Sequence, residues 1–151
     1  MKSRHLARSI AVQTLYSFDF SNKFELTEEV EINLSGLSPE EAEGLEDDVK
    51  IYASFLIRGV LENKEEIDQL ISLYSKNRTI DRINIVDRNI LRISFFTLLY
   101  CKEVHPHIVV DEAVKLSLEF SSDRNYKFVN GLLDTYIRTL QNDSIEDEGR
   151  H

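Results

Sequence analysis

The chain has 151 residues, a net charge of −9, 42% hydrophobic residues and a single cysteine. That length fits one domain burying roughly 70% of the surface its unfolded chain would expose, and the lone Cys101 excludes an internal disulfide framework, a zinc ribbon and a CxxC redox pair. Two prolines and five glycines are too few for the many tight turns of a sheet protein, which favours long helices with short connections.

The expected organisation is all-α, with one domain over residues 1–141 and an acidic, disordered tail over 142–151. Helix one covers Arg4 to Phe20. Leu6, Ile10, Thr14, Ser17 and Phe18 fall on one side, and Arg4, His5, Arg8, Ser9, Val12 and Tyr16 on another. Its first turns are charged and interrupt the apolar residues, so they do not read as a signal peptide. Lys2, Arg4, His5 and Arg8 sit at the positive end of the helix dipole, which weakens the helix unless an anion binds there. Residues 21–38 read as a loop or short helix.

Ser38-Pro39-Glu40-Glu41 is a strong start signal: a capping serine, proline at the first helical position and a glutamate completing the capping box. The helix continues to about Leu61, with a break near Gly44, and buries Val49, Tyr52, Phe55, Leu56 and Val60. Asn63 followed by Glu66 repeats the capping pattern and opens a helix to about Ser75, with Ile67, Leu70, Ile71 and Tyr74 inside. After a connection at 76–79 and a short turn at Ile80–Ile83, Asn84 caps a helix to about Cys101. That helix is nearly apolar after Arg92 and is the expected central element. Pro106 opens another, to Phe120, with Val110, Ala113, Val114 and Leu116 or Leu118 buried. The last spans Arg124 to Leu140 and buries Val129, Leu132, Leu133, Tyr136 and Ile137.

The charge is unevenly placed. Residues 24–49 carry ten acids and no base, and residues 142–151 carry four acids and Arg150; outside these stretches 17 bases face 13 acids. A phosphate backbone responds to local potential rather than whole-chain charge, so a basic face remains open. No apolar run approaches the roughly 20 residues of a membrane span, and the expected location is cytoplasmic.

The residues offer little catalytic chemistry. The glycines are scattered, and neither a GxSxG elbow nor an HExxH sequence is present. His105-Pro106-His107 lacks the further ligands a metal needs, and Cys101 reads as a small core residue. The expectation is a binding protein that is not an enzyme and has no cofactor or metal. Two clusters stand out. One is the basic edge of helix one. The other is Arg124-Asn125-Tyr126-Lys127-Phe128, which joins cations and aromatics at a helix start and suits unpaired RNA bases.

At these clusters the chain resembles the NusB family of bacterial transcription antitermination factors. The matching stretches are Arg8–Ser17 (RSIAVQTLYS), Ile83–Arg92 (INIVDRNILR), Val109–Ser117 (VVDEAVKLS) and Lys127–Asp134 (KFVNGLLD). Together they place the resemblance over nearly the whole chain, except residues 21–45 and the tail. It implies about seven helices in two small packed bundles. It also implies binding of boxA-type single-stranded RNA together with NusE, a small-subunit ribosomal protein, within the RNA polymerase antitermination complex that reads through ribosomal RNA operons.

By the same resemblance, Lys2, Arg4, His5 and Arg8 form one RNA surface, and Arg124, Asn125, Lys127 and Phe128 a second. His5 stands where arginine is common, which lowers phosphate affinity and makes it pH-sensitive. Tyr16 and Asp87 match positions used against NusE, with Arg88 beside them. The competing expectation is a protein-interaction module or homodimer with a weak or covered RNA face. A third, an enzyme, draws on ribosomal-RNA cytosine methyltransferases that carry this fold as a front domain, but 151 residues leave no room for the catalytic part.

Overall fold

A computed structural model of the protein describes residues 2–25, 30–121 and 125–149; the side chains of Lys2, Asn125 and 143–149 lie outside that description. It contains α1 (Lys2–Ser21), α2 (Pro39–Glu43), α3 (Asp47–Glu62), α4 (Lys64–Tyr74), a 3-10 turn (Ile80–Arg82), α5 (Ile85–Tyr100), α6 (Pro106–Phe120) and α7 (Asn125–Gly149). No strand occurs among the described residues.

The starts follow the local chemistry. Ser38 Oγ accepts from the Glu41 amide at 3.1 Å, and Glu41 Oε1 accepts from the Ser38 amide at 3.0 Å, closing the expected capping box. Asn84 Oδ1 accepts from the Val86 amide at 2.8 Å, and His105 Nδ1 accepts from His107 N at 3.1 Å just before Pro106. Asn63 behaves differently from the expectation. Its side chain makes no cap on α4 and instead donates from Nδ2 to the Gly59 carbonyl at 2.8 Å. With no loop between α3 and α4, the open carbonyls at the end of α3 compete for the amide and take it. At the far end α7 continues past the expected limit at Leu140 to Gly149. Extending a formed helix adds one hydrogen bond per residue and needs no new nucleus.

α5 is the axis of the molecule. α1 and α3 pack together on it, and α4, α6 and α7 pack around its remaining surface. Residues 87–98 of α5 are therefore all buried except Arg88. The main core gathers Leu15, Leu56, Ile57, Ile67, Ile90, Phe95, Leu116 and Leu133, and a smaller cluster of Ala7, Ile10, Val49 and Ala53 lies between α1 and α3. Gly59 sits where α3 meets α5: a Cβ there would lie 2.1 Å from Phe96 Cζ, so the helices approach this closely only because that position lacks a side chain.

Being enclosed by α3, α5 and α6, α1 has no broad polar edge. Ser9 and Val12, read from sequence as edge residues, are buried at 3% and 2% exposure. The segment after α1 is strapped along it, with the Asn33 amide donating to Thr14 Oγ1 at 2.9 Å and Asn33 Nδ2 to Ser17 Oγ at 2.6 Å.

Candidate nucleic-acid and partner interface

The cations at the start of α1 divide into three environments. Arg4 is exposed, and its guanidinium lies 3.9 Å from the centroid of the Tyr52 ring on α3. This cation–π contact orients the group while leaving its edges free to donate. His5 is half-buried, with Nδ1 2.9 Å from Glu112 Oε2 and Nε2 2.8 Å from Glu119 Oε2, both on α6. Arg8 is only 8% exposed, and Nη1 lies 3.5 Å from Glu112 Oε2. Burial works to raise the Glu112 pKa, but the His5 hydrogen bond and the Arg8 and Lys115 charges outweigh it, so Glu112 lies below its ordinary value. Arg8 therefore neutralises an internal carboxylate, while Arg4 is the described cation of this cluster that faces solvent. The side chain of Lys2 lies outside the described residues.

In the second cluster, Arg124 and the Asn125 side chain lie outside the described residues. Lys127 is exposed, and Phe128 is half-buried against the main core. Over the Phe128 ring, 5.3 Å from its centroid, lies the guanidinium of Arg78 from the α4–α5 link. From sequence Arg78 falls in a connection, and its nearness to Phe128 depends on how α4 and α7 pack. No described hydrogen bond, ion pair or ring contact runs directly between the two clusters. α6 joins them, holding His5 through Glu112 and Glu119 and ending at Phe120 shortly before α7 begins.

The residues expected to bind the partner, Tyr16, Asp87 and Arg88, have different surroundings. Tyr16 is 36% exposed and stacks on Phe20 with ring centroids 6.0 Å apart. It lines an open cavity of about 480 Å³ with Val12, Gln13, Asn33, Val86 and Phe120. Asp87, next to Val86, is 4% exposed and its Oδ1 has no hydrogen-bond partner. Burial pushes its pKa up to about 6, against the opposing hydrogen bond to Ser121. Arg88, expected beside these residues, is turned away into the protein. Its Nε donates to Asp19 Oδ2 at 2.6 Å and its Nη1 to the Ile83 carbonyl at 3.2 Å. It belongs to a buried network in which Arg92 donates to Asp19 Oδ2 and to Asp68 Oδ1, each at 2.8 Å. Asn89 Nδ2 donates to Asp19 Oδ2 at 3.0 Å.

Elsewhere the residues that looked reactive have structural surroundings. Burial and Glu103 push the Cys101 thiol pKa up, against Arg8. His105 and His107 stack at 5.0 Å, and among the described residues no group of three His, Cys, Asp or Glu is placed to hold a metal. No described helix is long and apolar enough to cross a membrane.

An all-helical binding protein, with exposed cations on aromatic rings and a polar-rimmed cavity, is the class this arrangement defines. The NusB family model matches residues 5–138. The transcription antitermination protein NusB of Leptospira biflexa serovar Patoc is 36% identical over 145 residues, covering 91% of this chain and 94% of the relative. That of Elusimicrobium minutum is 36% identical over 143 residues, covering 94% and 98%. Among solved structures, T. maritima NusB is 32% identical with a TM-score of 0.73, covering 87% of this chain and 88% of its own. A crystal structure of antitermination factors NusB and NusE in complex with double-stranded RNA matches at 28% identity and a TM-score of 0.71, covering 92% and 98%. The chain belongs to the NusB family.

Proposed function

We propose that this protein is a non-enzymatic, RNA-binding transcription antitermination factor that grips boxA-type RNA together with a NusE-type ribosomal protein. The observation that carries the reading is the exposed Arg4 guanidinium on the Tyr52 ring, a preoriented cation at the start of α1 in a chain of this family. Its relatives are transcription antitermination proteins, and one structural neighbour is described with NusE and RNA.

In this reading Arg4 and Lys2 contact phosphates, His5 adjoins them, and Arg8 holds α1 to α6 from beneath. Lys127, Arg124, Asn125 and Phe128 form the second contact. Tyr16 and Asp87 belong to the partner surface, Tyr16 at the cavity it shares with Val86 and Phe120 and Asp87 buried next to Val86, and Arg88 fixes the end of α1 to the start of α5. The protein acts in the cytoplasm as part of the RNA polymerase antitermination complex.

The test is binding of a fluorescent boxA-type single strand over a salt titration, with and without the NusE-type partner. Arg4→Ala flattens the log–log salt slope by about 0.7, one phosphate contact on a single strand, and the partner tightens binding of the native chain. A slope left unchanged by Arg4→Ala removes α1 from the RNA face, and no binding with the partner present ends the reading.

Self-association is the second reading, favoured by Phe20 and Ile51, which stand 76% and 66% exposed. Light scattering that finds a dimer which RNA does not dissociate supports it instead.

A further inference from the structure

The α4–α5 link carries Lys76, Arg78 and Arg82, all exposed, and Asp81 is its one acid. None of these three cations has a carboxylate within ion-pair distance among the described residues, whereas His5 and Arg8 are matched to Glu112 and Glu119. Ser75, Lys76, Asn77, Arg78, Thr79 and Arg82 line an open groove of about 680 Å³, and none of these described lining residues is an acid. In a chain of net charge −9, a groove lined by three exposed cations, of which Arg82 also interacts with its neighbour Asp81, is a local positive potential that attracts phosphate.

Arg78 brings the groove against the start of α7. Arg78 lies over Phe128 at 5.3 Å from the ring centroid, and Lys127 beside Phe128 is exposed. Phe128 is half-buried against the main core, so it backs the guanidinium from the protein side. The link is also braced: the Arg78 amide donates to the Ser75 carbonyl at 3.4 Å, and Ser75 Oγ donates to the Ser72 carbonyl at 3.0 Å, tying the start of the link to α4. A guanidinium is planar, and unpaired RNA bases stack on such planes as they do on aromatic rings, leaving its N–H edges free for phosphate oxygens.

We propose that Arg78, backed by Phe128, is a stacking platform for an unpaired RNA base, with Lys76 and Arg82 holding the flanking phosphates. This rests on the RNA-binding reading above and adds to it a site centred on the α4–α5 link, off α1, which meets the first turn of α7 at Phe128. A lysine could supply the charge at position 78 but not the plane, and that difference makes the site testable.

The full chain is titrated with a boxA-type single-stranded RNA at several salt concentrations, using Arg78→Lys, Arg78→Ala and Arg4→Ala, with a thermal melt of each. Both Arg78 variants weaken binding by at least about fivefold, the lower end of what one base stack contributes. Arg78→Lys keeps the native salt slope, while Arg78→Ala flattens it by about 0.7. Native affinity in Arg78→Lys with weakened binding in Arg78→Ala overturns the platform and leaves a point charge. Native affinity in both, with Arg4→Ala impaired, overturns this site alone, and affinity that falls only in proportion to unfolded protein overturns it too. Failure of the native chain to bind sinks the function and the site together.

Discussion

The Asp19 carboxylate, near the end of α1, stands 2.8 Å from Nη1 of Arg92 in the middle of α5, with side-chain exposures of 6% and 2%. Burial works to raise the Asp19 pKa, but the Arg88 hydrogen bond and the Arg92 and Arg88 charges outweigh it, and the carboxyl lies below its ordinary value. Asp19→Ala leaves two arginines short of a partner inside the protein, and destabilises it by about 3–5 kcal/mol. A group with a depressed folded pKa contributes stability above its unfolded value, here 3.8, and loses it as pH falls. The deficit measured by urea unfolding at pH 7 therefore shrinks below about pH 4. A loss under about 1 kcal/mol at pH 7 refutes the role.

Asp87 gives the opposite pH dependence. Its folded pKa of about 6 stands above the ordinary 3.8, so the folded chain holds the proton more tightly than the unfolded one. The contribution is full below about pH 4 and is lost as pH rises through 6. Asp87→Asn keeps the shape without the charge. It is expected to be more stable than the native chain by about 1–3 kcal/mol at pH 8, and nearly equal to it at pH 4. An identical gap at both pH values, read from denaturant midpoints, shows that Asp87 does not titrate this way.

Gly59→Ala tests the α3–α5 contact. Alanine favours a helix over glycine by about 1 kcal/mol, but its Cβ meets the buried Phe96 ring at 2.1 Å. That ring is held between Phe55 at 5.4 Å and Tyr100 at 5.6 Å. Overpacking costs about 1–3 kcal/mol and wins, so the melting temperature falls. A rise would mean that Phe96 moves aside freely.

Glu119→Gln tests the acid beside the basic edge of α1. The carboxylate lies 2.8 Å from His5 Nε2, and its charge opposes an incoming phosphate. Removing it tightens RNA binding by roughly 1.5- to 5-fold, the scale of one exposed ion pair, and the gain fades as salt rises. Weaker binding in the variant assigns Glu119 to positioning His5 instead.

Much of the helical plan was legible because its signals are local. Pro106 and the Ser38–Glu41 box mark helix starts by their own backbone chemistry, and α7 buries Val129, Leu132, Leu133, Tyr136 and Ile137 as its spacing predicts. The stripe on α3 was less legible: Phe55, expected inside, is 47% exposed, while Ala53 and Ile57 are fully buried. α3 packs against both α1 and α5, and two neighbours move the contact face away from the one that a single stripe suggests. The same enclosure took Arg8 off the surface of α1, and it is why exposure of a cation could not be read from its place in a helix.

The order of residues alone determined that this chain forms helices, roughly where each begins, and which side most of them bury, because propensity, capping and periodicity act over a few residues. Four matching stretches also pointed to its family. Only the tertiary structure decided the fate of its charges: Arg88 and Arg92 bind Asp19 across 69 and 73 residues, His5 meets Glu112 across 107, and Arg78 covers Phe128. Such pairings depend on how helices distant in the chain pack against each other, and packing rather than local preference selects which cations are sealed inside and which remain free to meet an anion.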